Sequence, residues 1–104
     1  MFTQEAAINI VKNFANDLSK AGINTSKILL FGSYARNEQK EYSDIDVALV
    51  SDDFIGVGFI DVEILLPVLR NYILIQPKTY STKDYIDGDP FLDEIKKNAL
   101  EIII

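Results

Sequence analysis

The sequence predicts an α/β (α+β) domain: a small mixed β-sheet packed with helices, in the rough order α-β-α-β-α-β-α. Three observations predict it. The first twenty residues repeat apolar positions at helical spacing, two short apolar runs follow, each stopped by Gly or a Ser/Asp cluster, and Ser-Thr and Asp-Pro pairs further on mark later helix starts. With 104 residues, one core is expected, and hence a single domain over 1–104. No repeat, low-complexity tract or Pro/Gly/Ser linker suggests an internal boundary.

Taken in order, residues 3–21 read as a helix. Phe2, Ala6, Ile10, Phe14 and Leu18 recur every fourth residue, with Ala7 and Val11 widening the stripe. Thr3 suits the N-cap, Gly22 the position past the end, and Lys20 the negative end of the dipole. Lys27 to Phe31 is a buried strand stopped by Gly32, Ser33 to Glu38 a short helical turn, and Asn37 to Ser43 a polar loop. Ile45 to Val50 is the second strand. Asp61 to Asn71 carries a helical apolar set (Val62, Leu65, Leu66, Leu69), although Pro67 argues against an unbroken helix. Tyr72 to Tyr80 is a third strand, where Pro77 implies an edge or a bulge. Ser81 or Thr82 caps a short turn through Tyr85. Asp89-Pro90 opens a last helix with Phe91, Leu92, Ile95 and Leu100 as its apolar set.

Composition narrows the chemistry. There is no Cys and no His, which removes disulfides, thiolate sites, His-based acid–base catalysis and the usual zinc sites. What remains is carboxylates, hydroxyls, Lys, Arg and backbone amides, and a carboxylate site would most naturally take Mg²⁺. The net charge of −6 argues against sequence-blind binding to nucleic acid. No apolar run is long enough to span a membrane, and the N-terminus lacks the basic start of a signal peptide, so a cytoplasmic protein is the expectation.

The stretch from Leu30 to Val50 carries the functional signal. A strand runs into Gly32-Ser33, where glycine lets a ligand approach the backbone and free amides attract anions; an ordinary tight turn has the same wording. Asp44 and Asp46 are separated by one residue at a strand start, so both carboxylates face one side. Side by side they repel, and a divalent cation between them reverses the sign. Arg36 and Lys40 lie between the two elements; Arg36 either reaches phosphate oxygens through its fork or pairs with Glu38 or Glu41.

Gly32-Ser33, Arg36 and Ser43-Asp44-Ile45-Asp46 together resemble the Gly-Ser…Asp-x-Asp signature of the DNA polymerase β-type nucleotidyltransferases. The wording Gly-Ser-Tyr-Ala-Arg is most similar to the minimal nucleotidyltransferases of prokaryotes. The resemblance implies Mg²⁺-dependent transfer of AMP from ATP to a protein hydroxyl. It also implies a role as antitoxin to a HEPN-type helical toxin, one of whose tyrosines would be modified. Carried onto this chain, Gly32, Ser33, Arg36 and Ser43 would contact the nucleotide, and Asp44 and Asp46 would hold metal and carry catalysis. The chain departs from the pattern at the third carboxylate that the next strand usually brings. No Asp or Glu occurs between Ile64 and Lys83, Tyr72 aligns near the expected position, and Gln76 stands where relatives often carry Glu. Asp61 and Glu63 are the nearest acids. The alternative reading is therefore a catalytically impaired nucleotide binder, or an antitoxin acting by contact alone.

Two features stay open. The five tyrosines either stack on a base or, as is commoner, pack with their hydroxyls at the surface. The apolar end Ile102-Ile103-Ile104 either docks a partner or a second copy, or folds back on the sheet.

Overall fold

A computed structural model describes residues 2–103. The elements are α1 (Gln4–Lys20), β1 (Lys27–Phe31), β2 (Ile45–Val50), α2 (Gly58–Leu69), β3 (Ile75–Tyr80), α3 (Thr82–Asp87), α4 (Pro90–Asn98) and β4 (Leu100–Glu101). They form a four-stranded sheet in the order β3-β2-β1-β4. β2 runs antiparallel to β1 and parallel to β3, and β4 lies antiparallel along β1. The mixed sheet with helices is the fold class expected.

The period-2 alternation of the strands decides which helices cover which face. Ile28, Leu30, Ile45, Val47 and Leu49 point to one side, where they pack with Val11, Phe14 and Leu18 of α1 and Leu65 of α2. Leu29, Ala48 and Val50 point to the other, against Leu92 and Ile95 of α4 and Tyr80. Each fully buried Leu or Ile contributes about 1.5–3 kcal/mol, so the two central strands β1 and β2 anchor the domain from both sides.

Caps fix the helix starts. Thr3 accepts the Ala6 amide at 3.0 Å, Ser81 the Asp84 amide at 3.1 Å, and Asp89 the Leu92 amide at 2.7 Å. The buried stripe of α1 is Ala7, Val11, Phe14, Ala15 and Leu18, rotated from the expected one, so that Phe2 lies 41% exposed.

Four expectations change. Residues 33–37 form turns, with a left-handed residue at Asn37 (φ 56°), and the helix expected over Ser33 to Glu38 is absent. Helix α2 runs through Pro67 without a break; proline there gives up one amide bond, and Leu65 and Val68 remain buried around it. β3 starts at Ile75, because Tyr72 and Ile75 donate their amides to Leu69 O (2.8 Å) and Tyr72 O (3.0 Å) in a turn. Leu100 belongs to the short strand β4 and not to the last helix. The C-terminal residues fold back: Ile102 is buried and its amide donates to Ile28 O at 2.8 Å, while Ile103 is exposed and Ile104 lies outside the described residues. No helix is long and apolar enough to cross a membrane among the described residues.

Candidate active site

Antiparallel pairing brings the two halves of the motif to one end of the sheet. Phe31, the last residue of β1, is paired with Asp46 near the start of β2. The next residue, Gly32, turns with φ 74°. A Cβ built on Gly32 would collide with the Asp46 carboxylate, so this carboxylate lies against the Gly32 backbone. Only glycine satisfies both demands, a left-handed φ and a hydrogen where a side chain would displace the acid.

The turn after Gly32 is held by its own backbone and by α1. Arg36 N donates to Gly32 O at 3.3 Å, and Glu38 N to Ser33 O at 2.8 Å. Tyr34 is buried in the core beneath. Gln4 Nε2 donates to Tyr34 O at 2.9 Å and Ala35 O at 3.2 Å. Sequence reasoning missed Gln4; a polar residue in the first turn of an amphipathic helix gives no signal that it reaches a loop thirty residues on.

Asp46 is half-buried and Asp44, just before β2, is exposed. Burial pushes the Asp46 carboxyl above the usual carboxylate range, repulsion from Asp44 adds to this, and Arg36 opposes it. The two acids and the guanidinium therefore share one electrostatic neighbourhood. Arg36 Nε meets Glu38 Oε1 at 3.1 Å, an exposed pair of small worth that a phosphate could displace. Ser43 Oγ accepts the Lys40 amide at 2.8 Å, closing the turn before Asp44. A cavity of about 210 Å³ opens beside the turn, with Phe31, Gly32 and Arg36 on one wall and Phe91, Glu94 and Asn98 on another. The α4 contribution to this wall was not legible in the sequence.

The position across from Asp46 on β3 is Gln76, which is exposed. The other acids considered lie elsewhere. Asp61 is fully buried on α2, where it accepts the amides of Ile55 (3.0 Å) and Gly56 (2.9 Å) and the Thr79 hydroxyl (2.9 Å). Glu63 is exposed on the same helix. Tyr72 donates to Asp17 at 2.5 Å and meets Phe14 edge-on, which pushes its phenol up to about 12, chiefly through that hydrogen bond. Among the described residues no three acids converge on a point that could hold a metal. Two neighbouring hard carboxylates, one of them against a backbone free of side chain, still suit Mg²⁺, which takes one or two protein carboxylates and completes its shell with phosphate and water.

The profile of the nucleotidyltransferase domain matches residues 8–102, a span that contains the glycine corner and the acid pair. The chain belongs to this nucleotidyltransferase family. It is a minimal nucleotidyltransferase. Two proteins of Methanocaldococcus jannaschii, both provisionally named protein adenylyltransferases, are similar to it. MJ0604 is 40% identical over 77 residues, covering 70% of this chain and 77% of its own. MJ0141 is 30% identical over 101 residues, covering 91% and 97%. Among solved structures, a provisionally assigned nucleotidyltransferase from Sulfolobus solfataricus superposes with a TM-score of 0.67 at 17% identity, over 94% of this chain and 80% of that one. A toxin–antitoxin structure solved with AMP-PNP gives 0.63 at 17% identity, over 92% and 72%. At these identities the structural likeness speaks for the nucleotidyltransferase fold alone.

Proposed function

We propose that this nucleotidyltransferase transfers AMP from ATP to a tyrosine hydroxyl of a HEPN-type helical toxin, with Mg²⁺, and thereby acts as an antitoxin in the cytoplasm. The observation that carries the reading is the Asp46 carboxylate lying against Gly32 with Asp44 beside it. It sets an acid pair next to a turn able to receive phosphate. The names of the adenylyltransferase relatives and the toxin–antitoxin neighbour support the nucleotide and the partner class.

In this reading residues 1–104 act as one domain, and the turn at Gly32-Ser33 receives the triphosphate. Arg36 leaves Glu38 to pair with a phosphate oxygen, and Ser43 donates its hydroxyl proton to another. Asp44 and Asp46 hold Mg²⁺, which when bound offsets negative charge on the reacting phosphate. The acceptor oxygen bonds to the α-phosphorus, the bond to the pyrophosphate oxygen breaks, and the phenolic proton is released. Gln76 cannot take that proton at the place opposite Asp46, so it passes to solvent and the transfer is slow.

Labelled ATP, Mg²⁺ and the product of the adjacent reading frame test this. Label on the partner that disappears in Asp44→Asn and Asp46→Asn supports transfer. A second reading, neutralisation by contact, is favoured by Gln76 and the two-acid site. It predicts a tight complex that both substitutions leave intact, with no label transferred.

A further inference from the structure

We propose that two copies of this chain associate through antiparallel α2 helices, in a register that sets Glu63 of each copy against Arg70 of the other. The inference goes beyond the catalytic reading and does not depend on it.

Helix α2, Gly-Phe-Ile-Asp-Val-Glu-Ile-Leu-Leu-Pro-Val-Leu, is apolar almost all round. A helix with water on one side normally confines its apolar residues to the other. Here Asp61, Leu65 and Val68 fill the inner face, yet Phe59, Ile60, Ile64 and Leu66 are 81%, 42%, 44% and 48% exposed. Phe59, Glu63, Leu66 and Arg70 follow the spacing of one helical stripe, with Ile60, Ile64 and Pro67 beside it. Arg70 keeps helical backbone angles, so it continues the line. An uncovered apolar surface of this kind marks an interaction site.

Its charges identify the occupant. The stripe holds one acid and one base, seven positions apart, and neither has an ion-pair partner among the described residues. A twofold axis between positions 66 and 67 satisfies both at once, because an isologous contact repeats every pair. Leu66 and Pro67 then meet at the axis. Past the end of the helix, Ile73 is 85% exposed and an apolar groove of about 220 Å³ lies among Phe2, Ile10, Tyr72, Ile73 and Leu74. The chain carries a net −6, so copies repel over most of their surface. This stripe is locally neutral and is where two copies approach without that penalty. A partner drawn by acidity would favour other faces.

Sedimentation equilibrium of the full chain over a range of concentrations tests the proposal. Wild type shifts with concentration from 11.7 kDa to twice that mass. Glu63→Arg alone and Arg70→Glu alone each place like charges at both symmetry-related contacts and weaken association by about tenfold or more. The double reversal restores it, and so does mixing the two single variants, whose charges complement one another. Both positions are exposed, and a melting curve unchanged at a concentration where wild type is monomeric confirms that each variant folds. A wild type that stays monomeric at every concentration overturns the proposal. So does a dimer indifferent to the single reversals, or a double reversal no better than either one.

Discussion

Gln76 faces Asp46 across the parallel register of β2 and β3. The two side chains emerge on the same side of the sheet, on adjacent strands, with Asp44 beyond the strand start. An amide at this point is a neutral and weak ligand for Mg²⁺ and takes no proton, whereas a carboxylate of nearly the same shape would bind the cation more tightly and accept the proton.

Gln76→Glu is therefore expected to raise transfer of label from ATP. General-base catalysis contributes about 10²–10⁴-fold when well placed, so a gain of roughly tenfold or more is expected. Tighter Mg²⁺ binding should accompany it. Rates unchanged by the substitution would show that β3 plays no part in the chemistry.

Asp46→Asn should lose transfer and gain stability. The folded chain holds the Asp46 proton more tightly than the unfolded chain, because burial and Asp44 both disfavour the charge. The resulting destabilisation is absent below the unfolded pKa and complete once the pH has risen through the folded one. At neutral pH without nucleotide, the Asn variant should melt higher than wild type by roughly a few degrees. The gap should close on acidification through the carboxylate range. Adding Mg-ATP should stabilise wild type and not the variant. A variant that melts lower at neutral pH would contradict the assigned repulsion.

Gly32→Ala combines a left-handed backbone with a Cβ in the space of the Asp46 carboxylate. A destabilisation of about 1–3 kcal/mol is expected, with transfer abolished in the protein that still folds. Denaturant melts and the labelling assay measure the two effects separately.

Asp61→Ala removes the acceptor for two part-buried amides and a buried hydroxyl. The expected cost is roughly 3–5 kcal/mol. Folded protein at low temperature should retain its transfer rate, because Asp61 lies among the contacts of α2 and β3 and not at the glycine corner. Selective loss of activity at full stability would instead make Asp61 a participant.

The juxtaposition of Gly32 and Asp46 in the candidate site was legible because its signals are local. A glycine after an apolar strand and two acids at period 2 are patterns that backbone geometry alone dictates. What escaped depended on the rest of the chain. The turn after Ser33 lacks a helix because Gly32 and Asn37 both take left-handed angles. β4 is two residues long, too short for any periodicity, and exists only because β1 offers it a partner. The continuity of α2 through Pro67 comes from packing of Leu65 and Val68, which outweighs one lost amide bond. The partners of Asp61 lie in a loop and on β3, so an acid inside an apolar helix could not announce them. Tyr80 likewise ended inside: its hydroxyl is buried without a partner among the described residues, and burial pushes it up to about 12.

β3 is the outermost strand on its side of the sheet, and Pro77 stands in the middle of it. The carbonyls of Leu74 and Tyr80 accept from Ile45 and Ser51, so even-numbered residues face β2 and the missing amide of Pro77 falls on the open flank. An incoming strand would find its ladder interrupted at the midpoint. The molecule is thus guarded against fibrillar stacking along this rim, leaving lateral encounters to its helices.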